Sequence, residues 1–208
     1  MITNLQDVGV IAQLPHTLPS EHLWMIADAL LASPILAVAV ALNSENPKPS
    51  YELIQDMRQR GRQNMLVGVS HVTTAKQARQ AIRSGAQFII SERWQRELLP
   101  ICRRQKLPYI PQVISALGAQ MLHDEGCEWL QIRTGGADGP AYVLTLATQS
   151  LPNLRLLVAS DVNANLVREY QQAGATAVLT TNLIHSPDQK MADIITEARA
   201  LREAWIGD

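Results

Sequence analysis

The chain has 208 residues, of which 47% are hydrophobic and 18% are charged, and its formal net charge is −1. An apolar content this high with so little net charge excludes a mainly disordered chain, and a chain of this size needs no disulfide or metal staple to fold. Because no lysine or arginine cluster is longer than Arg103-Arg104, nucleic acid is not expected as a partner.

Apolar runs alternate with segments of helical periodicity along the whole chain. The predicted strands are Val8–Leu14, Pro34–Leu42, Met65–Val72, Gln87–Ser91, Tyr109–Ile114, Glu128–Arg133, Leu154–Ala159 and Thr176–Thr181. The predicted helices are Ser20–Ala32, Pro49–Arg60, Thr74–Ser84, Trp94–Gln105, Ala116–Glu125, Ala141–Gln149, Asn165–Ala173 and a terminal helix over about Asp188–Trp205. Ser20 is predicted as an N-cap, and Gly85, Gly126 and Gly174 are predicted to end three helices.

The strands are mostly apolar on both faces, which is typical of a parallel sheet covered on both sides. Each strand is followed by a helix that can serve as its crossover. Eight such units predict a single (β/α)8 TIM barrel, with residues 1–208 forming one domain. An open, doubly wound α/β sheet is the alternative.

The location of the protein is predicted from what its sequence lacks. The first residues have no signal-peptide pattern, and the longest apolar run, Pro34–Leu42, is too short to cross a bilayer. We therefore expect a cytoplasmic protein with no membrane partner. Cys102 and Cys127 form no metal-binding pattern, and neither a cofactor nor a metal is predicted.

In a barrel of this kind, the functional residues lie at the carboxyl ends of the strands and in the loops that follow them. The polar residues at those positions are Gln13, His16, Asn43, Ser44, Glu45, Ser70, His71, Ser91, Glu92, Arg93, Gln112, Ser115, Gln131, Arg133, Ser160, Asp161, Asn163, Thr180, Thr181 and Asn182. We select His71, Gln131 and Arg133 as candidate catalytic residues. The candidate ligand-binding residues are Asn43, Gln112, Ser160, Asp161, Thr181 and Asn182.

Each selection has a competing structural interpretation. If Gln131 points into the barrel, strand alternation sends Arg133 the same way, and a buried guanidinium needs a protein acid or a ligand anion. His71 could equally be a solvated loop histidine, and Asp161 could cap the seventh helix. The glycine loop Thr134–Pro140 could present N–H groups to an anion or simply turn the chain.

Four segments, in the right order, carry a resemblance to a known family. They are Val67–Val72, Ser84–Ser91, Leu107–Pro111 and Ala137–Gly139. In these segments the chain resembles the 2-keto-3-deoxy-6-phosphogluconate / 4-hydroxy-2-oxoglutarate aldolase family over nearly its whole length. The resemblance implies a class I, metal-free aldolase on a (β/α)8 barrel, assembled as a homotrimer.

The same resemblance puts the aldolase chemistry in doubt. The family's general acid/base glutamate falls on Ala39, its anion-binding arginine on Asn43, and its Schiff-base lysine on Gln131. The phosphate-binding segment of the seventh strand reads Val158–Val162, and the glycine pair after the eighth strand falls on Thr181-Asn182.

A class I aldolase needs a neutral lysine amine in a dry pocket, and an amide forms no imine. The four lysines of the chain are Lys48, Lys76, Lys106 and Lys190. Lys106 precedes a strand, Lys76 and Lys190 lie on or near helices, and Lys48 lies in a loop where we expect it to be solvated.

Three functions remain open. The first is a divergent relative without class I aldolase activity that binds a small anionic keto acid or sugar phosphate. The second is an active aldehyde-lyase or isomerase that uses His71 and Arg133 for acid/base chemistry. The third is a non-catalytic interaction protein whose exposed apolar residues, such as Trp24 or Trp94, would matter more than the strand ends.

Overall fold

The structure, a computed structural model, describes residues 4–61, 64–134, 138–148, 151, 153–184 and 189–207. Its strands are β1 (Gly9–Leu14), β2 (Ala37–Ala41), β3 (Leu66–Ser70), β4 (Ile89–Ser91), β5 (Tyr109–Val113), β6 (Trp129–Arg133), β7 (Arg155–Ala159) and β8 (Ala177–Thr180). Its helices are α1 (Ser20–Ala32), α2 (Lys48–Gly61), α3 (Ala75–Arg83), α4 (Leu98–Arg104), α5 (Ala116–Asp124), α6 (Gly139–Ala147), α7 (Ala164–Gln172) and α8 (Met191–Ile206).

The eight strands close into a barrel in sequence order, and every neighbouring pair is parallel. Closure occurs between β8 and β1, where Gly9 pairs with Ala177 and Ala12 pairs with Thr180. The prediction of a (β/α)8 barrel is therefore confirmed, and the open sheet is excluded. Among the described residues, no helix is long and apolar enough to cross a membrane.

Strand alternation divides the core into two layers, as expected for a barrel wrapped by helices. One buried cluster fills the space between strands and helices, and the other fills the barrel interior. The interior combines Phe88 with small neighbours such as Ala37 and Ala39. A Cβ atom on Gly68 would lie 2.3 Å from the Phe88 ring, so glycine at this position makes room for the aromatic side chain.

Helix ends follow the sequence signals in most places. Gly85, Gly126 and Gly174 adopt positive φ angles of 99°, 90° and 94° just after α3, α5 and α7, as predicted. The prediction of Ser20 as an N-cap is wrong, because Ser20 is the first residue of α1 and Pro19 holds the cap position.

Two predicted starts differ from the structure for physical reasons. α4 begins at Leu98 rather than at Trp94, which keeps Pro100 in the first turn, where a proline is tolerated. β4 begins at Ile89 rather than at Gln87, because the Gln87 side chain accepts the Val67 N–H at 3.0 Å in place of a main-chain carbonyl.

Candidate ligand-binding site at the carboxyl end of the barrel

A cleft of about 640 Å³ opens where the strands end. Its lining combines residues from the ends of β1, β2, β6, β7 and β8 with the loops that follow β1, β3, β4, β6, β7 and β8. These residues are Gln13, Pro15, His16, Thr17, Ala41, His71, Glu92, Arg133, Thr134, Ala159, Ser160, Asp161, Leu179 and Thr181. Five of the residues selected from the sequence therefore share one cleft, namely His71, Arg133, Ser160, Asp161 and Thr181.

His71 enters this cleft through an unusual backbone conformation. It follows β3 with a φ of 61°, in the left-handed region that non-glycine residues rarely adopt. Its Nδ1 atom lies 3.2 Å from Ser70 Oγ and 3.5 Å from Gln13 Nε2, and Gln13 Nε2 also donates to Ser70 Oγ at 3.1 Å. With the Gln13 amide donating, the Ser70 hydroxyl is free to donate to Nδ1. A neutral imidazole held in this way carries its proton on Nε2.

The Nε2 atom of His71 faces a carboxylate. It lies 3.2 Å from Glu92 Oε1 at the end of β4. Burial lowers the pKa of His71, Glu92 opposes that change, and His16 and Arg133 lower the pKa further. The His16 ring stands edge-on to the His71 ring at a centroid distance of 5.8 Å. The net downward shift favours the neutral imidazole.

Arg133 lies at the rim of the cleft. Its side chain is 60% exposed, and its Nη2 atom lies 3.8 Å from the Oε1 atom of Glu92. The guanidinium is therefore not a buried cation in need of a partner, and the anion beside it is a protein carboxylate.

Gln131 lies on the same strand but deeper in the barrel. It is 1% exposed, and its Nε2 atom donates to Gln112 Oε1 at 3.3 Å. Its own Oε1 atom is buried without a hydrogen-bond partner. Neither Gln131 nor Gln112 is among the residues that line the cleft. The fully buried Ala39 belongs to the cluster that fills the barrel interior.

None of the four lysines, all of which lie in the described part of the chain, lines this cleft. Lys48 begins α2, where its side chain is 83% exposed and lies 3.7 Å from Glu52. The remaining three lie in or next to α3, α4 and α8. The structure thus brings no lysine amine to the cleft.

The ends of β7 and β8 are tied together by hydrogen bonds. Thr181 Oγ1 donates to Asp161 Oδ1 at 2.9 Å at the edge of the cleft. Asn182 donates from Nδ2 to the Val162 carbonyl at 2.7 Å and also contacts Thr180 Oγ1. The capping interpretation of Asp161 is wrong, because Asn163 caps α7 by accepting the N–H of Leu166.

Asn43 lies apart from this cleft. Its Oδ1 atom accepts the N–H groups of Glu45 and Asn46 at 2.9 and 3.1 Å, which closes the turn after β2. It lines a smaller neighbouring cavity of about 160 Å³ that shares Pro15, His16 and Ala41 with the cleft. Of the predicted glycine loop, Gly135 and Gly136 lie outside the described residues, while Gly139 begins α6.

Gln13, His16 and Glu92 line the cleft but were not selected from the sequence. Each occupies the end of a strand or the loop after it, so the strand-end rule does identify them as polar candidates. The missing signal is the geometry that joins them to His71, since that contact depends on a backbone angle that no local pattern predicts.

A closed (β/α)8 barrel with a polar cleft at the carboxyl ends of its strands is the architecture that barrel enzymes use. The family model described as KDPG and KHG aldolase matches residues 3–196. The chain therefore belongs to the KDPG and KHG aldolase family.

Solved structures agree with this fold assignment. The native KDPGal structure gives a TM-score of 0.82 at 20% identity, covering 96% of this chain and 95% of the other. The 2-keto-3-deoxy-6-phospho-gluconate aldolase of Zymomonas mobilis gives 0.77 at 20% identity, covering 94% and 92%. Thiamine phosphate pyrophosphorylase from Pyrococcus furiosus gives 0.76 at 14% identity, covering 98% of both chains. No curated protein matches the sequence.

Proposed function

We propose that this chain binds a small anionic 2-oxo acid or sugar phosphate in the cleft and does not perform the imine chemistry of a class I aldolase. The observation that carries the proposal is the position of Gln131, which places a carboxamide in the barrel where the family resemblance expects a lysine. An amide nitrogen shares its lone pair with the carbonyl group and cannot form an imine with a ketone.

The groups at the rim support an anionic ligand. Arg133 and the Nε2–H of His71 are donors that favour a carboxylate or phosphate, and Ser160 adds a hydroxyl group to the same cleft. Asn43, Gln112, Gln131 and Asn182 lie outside the lining, so we assign the first contacts with the ligand to the rim.

Borohydride trapping tests the absence of imine chemistry. We expect no mass increase on any lysine after the protein is incubated with pyruvate and reduced. A pyruvate adduct on Lys48 or on any other lysine would overturn this part of the proposal, because it would identify a working Schiff-base nucleophile.

Thermal unfolding with pyruvate and with phosphorylated sugar acids tests binding. A ligand at 100 times its Kd stabilises the native state by about 2.7 kcal/mol, which is readily measured. Arg133→Gln should raise the Kd roughly tenfold or more, as expected for the loss of a charged hydrogen bond, and the ligand should then stabilise the variant less. Arg199→Gln, on the exposed surface of α8, is the matched control and should bind like the unaltered protein. The absence of stabilisation by every anion would refute binding.

A second candidate function is acid/base chemistry by His71, with Arg133 as the electrophile. It is favoured by the fixed orientation of the His71 ring, which presents Nε2–H to the cleft as an acid toward a substrate carbonyl, while the Glu92 carboxylate beside it is the group able to accept a proton. The test is exchange of the methyl protons of pyruvate in D₂O, followed by NMR. His71→Asn, which tolerates the left-handed backbone, should abolish the exchange. A rate equal to that without protein would exclude this function.

We also propose that the chain assembles with copies of itself, with the number of three taken from the family resemblance. Ile114, just before α5, and Leu117 and Met121, within α5, expose 87%, 72% and 60% of their surface. Trp94, in contrast, packs against Tyr109 at a centroid distance of 5.8 Å. Sedimentation of Leu117→Lys beside the unaltered chain tests the proposal, and a monomeric unaltered chain at micromolar concentration would refute it.

A further inference from the structure

Glu92 places one oxygen atom between the two donors of the cleft. Its Oε1 atom lies 3.2 Å from His71 Nε2 and 3.8 Å from Arg133 Nη2. A carboxylate at this point occupies the space that an anionic ligand would need in order to contact both donors. The three residues come from the ends of β3, β4 and β6, so the arrangement depends on closure of the barrel.

The direction of the His71 ring is fixed from the opposite side. In an extended strand, the residue after the inward-facing Ser70 would point away from the barrel axis. The positive φ of 61° at His71 changes that direction, and the contacts of Nδ1 with Ser70 and Gln13 hold the ring. Nε2–H is therefore presented to the cleft, where Glu92 accepts it.

We propose that Glu92 is an internal occupant of the anion site, and that a ligand carboxylate or phosphate binds by replacing the Glu92 carboxylate at His71 and Arg133. The inference rests on the proposed function, because it concerns the same cleft. It adds that the site selects its ligand by charge. An uncharged aldehyde or sugar offers no anionic group to these two donors and leaves the Glu92 contact in place.

The exposure of the pair makes this exchange feasible. The Glu92 side chain is 53% exposed and that of Arg133 is 60% exposed, so the carboxylate can turn into solvent with its charge hydrated. Exposed ion pairs contribute little to stability, whereas a compact ligand that also meets Ser160 gains a further hydrogen bond. Release of Glu92 therefore weakens ligand binding only modestly.

Three variants distinguish a Glu92 carboxylate that occupies the anion site from one that affects ligand binding only through its charge at a distance. Glu92→Gln removes the charge, and Glu92→Asp keeps the charge but draws it back by one methylene. Glu45→Gln removes an exposed carboxylate from the loop after β2 and is the matched control. Binding of inorganic phosphate and of pyruvate is measured by calorimetry, after thermal melts have verified that each variant is folded.

We expect Glu92→Gln and Glu92→Asp to bind both anions about two- to fivefold more tightly than the unaltered chain, the fold-change that corresponds to loss of a surface ion pair. Glu45→Gln should bind within about twofold of the unaltered chain, because exposed charges at a distance are screened by salt. NMR of the His71 ring supplies an independent readout. Because Glu92 raises the pKa of His71, Glu92→Gln should lower it further.

The other possible results of these measurements each contradict a stated part of the proposal. If the unaltered chain binds phosphate or pyruvate and Glu92→Gln binds them equally or more weakly, the occupant role is overturned while the proposed function stands. If Glu92→Asp matches the unaltered chain and only Glu92→Gln binds more tightly, distant charge rather than occupancy is responsible. If no variant binds either anion, the proposed function fails and the occupant role fails with it. An unchanged pKa of His71 in Glu92→Gln would contradict the contact itself.

Discussion

Replacing Gln131 by lysine tests how dry the interior of the barrel is at the position expected to hold a nucleophile. The position is 1% exposed, and no carboxylate is buried among the described residues. The acceptor that the Gln131 side chain contacts is the neutral Oε1 atom of Gln112. A lysine at this depth has its pKa lowered by about 3–5 units from its usual ~10.4, because burial penalises the ammonium form.

The expected loss of stability follows from the difference between the pKa of this lysine in the folded chain and its pKa in the unfolded chain. Between the lowered pKa and ~10.4 the unfolded chain binds more protons, so stability rises with pH across that interval. At pH 7 we expect Gln131→Lys to be about 4 kcal/mol less stable than Gln131→Met, since each unit corresponds to about 1.4 kcal/mol. Near pH 10 most of this difference should be gone.

The assay is urea unfolding of both variants from pH 7 to pH 10, followed by circular dichroism. Gln131→Met is the matched control because it has a similar volume and no titratable group. A difference between the variants that stays flat with pH, or one below about 1 kcal/mol at pH 7, would refute the reasoning, since a solvated ammonium group has no such cost. If Gln131→Lys is unfolded at pH 7, its recovery of structure at pH 10 provides the same test.

Three further predictions concern core packing, thiol reactivity and backbone conformation. Gly68→Ala should lose about 1–3 kcal/mol in urea unfolding, because the new Cβ atom would lie 2.3 Å from the Phe88 ring. Adding Phe88→Leu should restore part of that loss, and strictly additive losses would contradict the contact. The pKa of Cys102 is raised to about 12 and that of Cys127 to about 11 by burial, so the native protein should react slowly with a thiol reagent at pH 8. Rapid reaction of both thiols would show that they are accessible. Lys106→Gly should raise the free energy of unfolding by about 0.5–1 kcal/mol, because Lys106 holds a φ of 55° after α4, and a lower Tm would contradict this.

Much of the fold could be predicted because the hydrophobic periodicity and the glycine residues that end helices indicate the same elements along the chain. Gly85, Gly126 and Gly174 mark helix ends by a rule that acts within a few residues, and the structure confirms each of them. One of the wrong boundaries occurs where a contact distant in sequence replaces a local one. The start of β4 is the example, since the Gln87 side chain takes a main-chain position opposite Val67.

The candidate site was predicted less completely for a similar reason. Strand alternation placed Gln131 inward and Arg133 on the same face, and the strand-end rule brought His71 and Asp161 to one cleft. The contact between Glu92 and His71 could not be predicted, because it depends on a left-handed residue, and the sequence gives no sign of one there.

On the proposed function, the depth of each residue explains how this barrel could bind an anion without performing imine chemistry. Gln131 and Arg133 are two positions apart on β6, so they share a face but lie at different levels. Gln131 is buried below the cleft, and Arg133 stands at its rim beside Glu92. A substitution that removes a nucleophile at the lower level leaves the donors at the rim in place, because the contacts of His71 and Arg133 do not include Gln131. On the proposed function, the chain therefore retains a charge-selective site after the amine is lost, and the identity of its ligand depends on the rim rather than on the ancestral reaction.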